Sequence, residues 1–191
     1  MQRIERDGVR GWLELPAGKS SGSAMVLTHG AGANAESALL KAISAKLCDS
    51  GWTVLRCDLP FRQRHAGPPR PPEGAGDREG LRQALALLRG EVGRDAKLFL
   101  AGQSYGGRQA TMLVAEDPAI DAAGLMLTSY PLHPPGKPEK PRTAHLPQIH
   151  KPAFFAQGSR DSFATRGEME EALKMIPAPT QLFIVEGAGH D

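Results

Sequence analysis

The residues best placed to do chemistry are a serine, an aspartate and a histidine spread over the second half of the chain. Ser104 sits inside Gly102-Gln103-Ser104-Tyr105-Gly106, a Gly-x-Ser-x-Gly sequence. The apolar run Leu98 to Ala101 precedes it, and a helical stretch beginning near Arg108 follows. Strand, sharp turn and helix is the context in which such a serine is presented as a nucleophile, with glycines where side chains would crowd the neighbouring helix and strand. A neutral serine is a weak nucleophile. It needs a histidine to take its proton and a carboxylate to fix the imidazole tautomer. Asp161 and His190 supply those types, each just beyond an apolar run that reads as a strand, in the chain order Ser, Asp, His.

A tetrahedral intermediate also needs two preorganised N–H donors. One is expected from the backbone of Tyr105, the residue after the nucleophile. The other is expected from Ala31, in the loop His29-Gly30-Ala31-Gly32 that follows the strand Met25 to Thr28. His29 is read as orienting that loop, or as contacting substrate, rather than as transferring a proton.

These groups require a scaffold that gathers strand ends. Residues 2–15 predict a hairpin around Asp7-Gly8. Strands are then expected at 25–28, 52–57, 98–101, 124–128, 153–157 and 181–185. Helices are expected at 36–50, from a cap at Asp77 through Leu88, from Arg108 to Asp117, and at 168–176, with a short piece near 144–149. Strands alternating with helices predict an α/β fold, a mostly parallel sheet covered on both faces, with an antiparallel N-terminal hairpin. In such a sheet, functional groups collect beyond the carboxyl ends of the strands. Residues 61–76 read as a basic, proline-rich loop, and 131–152 as a second loop with seven prolines.

Length and composition fit this scheme. At 191 residues, with 40% hydrophobic and 23% charged residues, the chain reads as one domain with a substantial core. A net charge of +2 without a basic run gives no support to nucleic acid as a partner. Cys48 and Cys57, the two cysteines, lie outside any metal-type spacing and read as reduced core residues. The N-terminal residues lack the apolar segment of a signal peptide, and no run is long enough to span a bilayer. The expectation is a soluble cytoplasmic protein with no membrane partner.

Taken together, the His-Gly-Ala-Gly loop, the Gly-Gln-Ser-Tyr-Gly-Gly elbow at 102–107 and Gly158-Ser159-Arg160-Asp161 resemble an α/β-hydrolase of the small, lid-poor, dienelactone-hydrolase-like type over nearly the whole chain. The segment Tyr130 to Pro138 is similar to a group of hydrolases related to testis-expressed and chromatin-complex (NSL subunit) proteins. The resemblance implies cofactor-free and metal-free hydrolysis of a small acyl ester, thioester or lactone. Acyl transfer would use the same three residues, and a non-catalytic interaction module on the same fold is the alternative of another class. Two departures stand out. Dienelactone hydrolase proper carries a cysteine nucleophile where this chain has Ser104. The final helix after the histidine is absent, so either the 191-residue chain is shortened or a second copy supplies cover, and His190 is expected to be less well ordered than its partners. Monomer and homodimer both stay open.

The specificity residues are less determined. Arg62 and Arg64, with His65 and Arg70, follow the strand 52–57 and either bind an anionic substrate group or form a solvated basic loop. Tyr130, His133 and His145 either line the pocket or lie on a surface loop.

Overall fold

The computed structural model describes residues 1–190. Strands β1 (Gln2–Arg6) and β2 (Val9–Glu14) form the expected hairpin. Its Asp7-Gly8 turn has φ of 53° and 75°, the left-handed pair that matches the twist of two joined strands. Strands β3 (Ser23–Thr28), β4 (Thr53–Asp58), β5 (Lys97–Gln103), β6 (Gly124–Thr128), β7 (Ala153–Gly158) and β8 (Thr180–Val185) follow. Helices α1 (Ala38–Asp49), α2 (Pro60–Arg64), α3 (Gly74–Val92), α4 (Tyr105–Glu116) and α5 (Arg166–Leu173) lie between them.

All eight strands join one sheet in the order β1-β2-β4-β3-β5-β6-β7-β8. The pairings β1–β2 and β2–β4 are antiparallel, and every other one is parallel. Leu98, Leu100, Val26 and Leu55 point into a core shared with α3, α4 and α5, whereas Met25, Leu27 and Val54 meet Leu40 of α1 on the opposite face. Burial on both faces explains why the central strands read as continuous apolar runs. β8 is an edge strand whose outward residues stay open, with Phe183 57% exposed. Among the described residues, no helix is long and apolar enough to cross a membrane.

Two elements differ from expectation. Part of the basic loop folds into α2, which Pro60 can start because its fixed φ suits a first helical turn and its missing N–H is not needed there. α3 begins at Gly74, so Asp77 lies inside the helix instead of capping it. Its side chain is fully buried and accepts from the Phe61 amide (2.9 Å) and the Tyr105 hydroxyl (2.7 Å). The two cysteines are buried and free, and burial pushes the Cys57 thiol up to about 12.

Candidate active site

The winding of the sheet reverses at β3. The chain steps outward from β3 to β4, then returns to lay β5 on the other side of β3. The loops leaving β3 and β5 therefore diverge and leave a crevice at the carboxyl edge, the position where ligands bind in such sheets. Ser104 follows β5 and the His29–Ala33 segment follows β3, so both border this crevice.

Ser104 has φ 48° and ψ −115°, a left-handed conformation that is costly for a residue with a Cβ. The turn is held by a hydrogen bond from the Ser104 amide to the Thr128 carbonyl at 2.9 Å. Glycine is required on either side. A Cβ at 102 would lie 2.5 Å from backbone atoms of Gly106 and Gly107, and one at 106 would lie 2.5 Å from the His29 carbonyl oxygen. The α4 N-terminus is thereby pressed against β5 and the β3 loop.

The Ser104 hydroxyl lies 2.7 Å from His190 Nε2, and His190 Nδ1 lies 2.9 Å from both Asp161 carboxylate oxygens. A carboxylate accepts, so Nδ1 carries the ring proton and Nε2 is left to accept from the serine. The Asp161 side chain is fully buried. It is satisfied further by the Gln157 amide group at 2.7 Å and the Phe163 N–H at 2.8 Å. The Phe163 ring stacks on His190 with centroids 3.8 Å apart. The segment carrying His190 is tied down as well. Ser159 N–H donates to Val185 O at 3.0 Å, Arg160 N–H to Ala188 O at 2.9 Å, and Gly187 N–H to Ser159 Oγ at 2.9 Å.

The loop after β3 is fixed from below. The Ala35 amide donates to Asp58 Oδ1 at 2.8 Å, and the Arg62 guanidinium donates to the Ala31 carbonyl at 2.7 Å. His29 is fully buried. Burial lowers its pKa, which keeps the ring neutral. One ring nitrogen then donates to Gly30 O (2.8 Å) while Nε2 accepts from the Leu59 amide (3.1 Å). Ala31 and Tyr105 line the same cavity as Ser104 and His190, a space of about 770 Å³. The Tyr105 N–H is among the first of α4, which a helix leaves without an internal partner.

Thus the structure brings Ser104, His190, Ala31 and Tyr105 to one cavity, with Asp161 buried and bonded to His190, and leaves the expected substrate contacts outside it. His29 is sealed beneath the loop as an orienting group. Arg62 is spent on the carbonyls of Ala31 and Ala66 and lies over the Phe61 ring. Arg64 is exposed and pairs with Glu73. Tyr130 is buried and bonded to Thr111 and His145, because its strand-end position points its ring into the core against Phe155. His133 faces Glu168, away from the cavity. The cavity wall instead carries Arg108, Arg142, Pro68, Pro69, Pro131 and Phe163. Gln157 is another member that the sequence reading missed. A glutamine ending an otherwise apolar strand four residues before Asp161 was its only signal. Among the described residues, no cluster of three His, Cys, Asp or Glu side chains is arranged to hold a metal ion.

Comparison with solved structures finds the same architecture at low sequence identity. An α/β serine hydrolase homologue from Coxiella burnetii superposes with a TM-score of 0.76 at 18% identity, covering 95% of this chain and 83% of that one. The Thermus thermophilus protein TT1662 gives 0.78 at 21% identity over 100% and 90%. A dienelactone hydrolase from Anabaena variabilis gives 0.74 at 21% over 95% and 82%. At these identities the likeness is one of fold. Residues 21–191 match the family described as "Alpha/beta hydrolase domain", and the chain belongs to that family.

Proposed function

We propose that the protein is a serine hydrolase that cleaves a small acyl ester, thioester or lactone through an acyl-enzyme. The observation that carries this reading is the unbroken hydrogen-bond chain from Ser104 through His190 to Asp161 at the wall of an open cavity. The Ser104 oxygen attacks the acyl carbon while His190 Nε2 takes its proton. The carbonyl π pair moves onto oxygen, which the Tyr105 and Ala31 N–H groups receive. The tetrahedral intermediate collapses, and His190 returns the proton to the departing alcohol or thiol. Water then attacks the acyl-serine with His190 again as base, and the free acid leaves with Ser104 restored. Asp161 stays ionised and stabilises the imidazolium. Its buried hydrogen bonds to Gln157 and Phe163 support a fixed orientation.

The relatives' names agree with this chemistry. The Coxiella burnetii protein is described as a serine hydrolase homologue, and the Anabaena variabilis protein as a dienelactone hydrolase. The test uses purified protein with p-nitrophenyl acetate and a fluorophosphonate probe. Ser104→Ala should abolish labelling and lower kcat by about 10⁶-fold. Labelling that persists in the variant, or no turnover and no labelling of the parent, overturns the proposal.

A further inference from the structure

The chain has fifteen arginines, and nine of them pair with a carboxylate: Arg3, Arg6, Arg10, Arg56, Arg64, Arg78, Arg82, Arg89 and Arg166. Arg62 is held by backbone carbonyls, and Arg70, Arg94 and Arg160 lie exposed in solvent. Two remain. Arg108 and Arg142 are half-buried, form no ion pair among the described residues, and both line the cavity that holds Ser104. The Nε of Arg108 is buried with no hydrogen-bond partner. Burial and the Arg108 charge together lower the pKa of Arg142. A desolvated cation without a partner is destabilising, and a second cation lining the same cavity adds to the cost.

The pair is also held in place. Arg108 follows Ser104 by one helical turn, and helical side chains lean toward the N-terminal end, which brings Arg108 back over the serine. The Arg142 amide donates to Leu132 O at 2.7 Å. Three residues on, His145 bonds Thr111 of α4 at 2.9 Å and the buried Tyr130 hydroxyl at 3.1 Å. The proline-rich loop is thereby pinned to the helix that carries Arg108.

We infer that Arg108 and Arg142 form an anion-binding subsite which selects a substrate bearing a carboxylate on its acyl part, such as the half-ester of a short dicarboxylic acid. The inference deepens the hydrolase reading and rests on it. Two guanidinium forks satisfy the lone pairs of one carboxylate. A phosphate would leave further oxygens facing Pro68, Pro69 and Pro131, which have no N–H to offer.

The experiment compares p-nitrophenyl hemiglutarate with p-nitrophenyl butyrate, esters of similar length that differ in the terminal carboxylate. The parent should prefer the hemiglutarate in kcat/KM. Arg108→Gln and Arg142→Gln should each lower the ratio of the two kcat/KM values at least tenfold, mostly through KM, and Arg108→Lys should recover only part of it. Arg94→Gln removes the same charge at an exposed site and should leave the ratio unchanged. In the Ser104→Ala background, calorimetry should detect binding of monomethyl glutarate that Arg108→Gln abolishes. Equal use of both esters by the parent, or a ratio unmoved by both glutamine variants, overturns the subsite. Failure of the hydrolase reading would look different: neither ester would turn over, while the calorimetric arm would still decide whether the arginines bind a carboxylate.

Discussion

Replacing Gly158 by alanine tests whether the proposed base is positioned by backbone contact. A Cβ on residue 158 would lie 2.3 Å from the Gly189 carbonyl oxygen and 2.5 Å from that of Ala188. An ordinary van der Waals contact begins near 3.4 Å, so relief needs a movement of about 1 Å. The neighbours are backbone atoms, and β7 is paired on both sides, so the mobile partner is the 186–190 turn. Displacing His190 by that amount stretches the 2.7 Å contact with Ser104 beyond the roughly 3.2 Å reach of a useful hydrogen bond. Misplacement on this scale costs about 10²-fold in rate. The expected result is a folded protein, destabilised by about 1–3 kcal/mol, with kcat/KM for p-nitrophenyl acetate and the fluorophosphonate labelling rate both down about a hundredfold. Gly167→Ala is the control, since a Cβ there meets nothing within 4 Å. It should leave activity intact. If Gly158→Ala is folded and its activity stays within about threefold of the parent, the turn is not what positions His190.

Asp77→Ala should leave the Phe61 amide and Tyr105 hydroxyl without their buried acceptor, costing roughly 2–5 kcal/mol in urea denaturation. A loss under about 0.5 kcal/mol would mean that other groups satisfy both donors. Burial, then the charges of Arg108 and Arg78, push His145 from 6.5 down to about 4. Between those two values the unfolded chain binds more protons, so this contribution to stability is complete above pH 6.5 and lost as pH falls toward 4. The drop in Tm from pH 7 to pH 5 should therefore be smaller in His145→Gln than in the parent, and equal drops would refute the assignment. Arg62→Leu should free the Ala31 carbonyl and lower kcat about tenfold with little change in KM. A change confined to KM for acidic esters would return Arg62 to substrate binding.

The sequence was most legible where one local rule decided the outcome. Apolar runs in β3, β4 and β5 are buried on both faces, so strand identity needed only composition and length. The elbow was legible because its glycines answer to steric contacts a few residues away, Gly102 against Gly106 and Gly107. Asp77 was misread because an acidic residue before an apolar run is what a cap looks like. Its real partners, Phe61 and Tyr105, lie 16 and 28 positions away along the chain. Tyr130 and His133 were taken as possible pocket residues from the loop they occupy, but a loop position does not say which way a side chain turns.

The arginines make the same point about charge. Arg62 and Arg64 stood out as a cluster at the correct end of the sheet, yet proximity in sequence to a crevice does not make a guanidinium available to a ligand. Arg62 finds the Ala31 and Ala66 carbonyls and Arg64 finds Glu73, because all three acceptors lie within reach of α2. Arg108 and Arg142 stand 34 residues apart in loop and helix and have no shared signal in the sequence. What distinguishes them is the lack of an ion-pair partner among the described residues, a property of packing alone. A cation half-withdrawn from water keeps its charge only at a cost, and a ligand carboxylate is the group that would offset it. Arg62 also acts on the loop proposed to receive the oxyanion. A donor aimed at a developing charge must already be fixed: the Ala31 N–H shares its peptide with the Gly30 carbonyl, which accepts from His29 Nδ1 and the Ala33 amide, and Arg62 holds the next peptide through the Ala31 carbonyl.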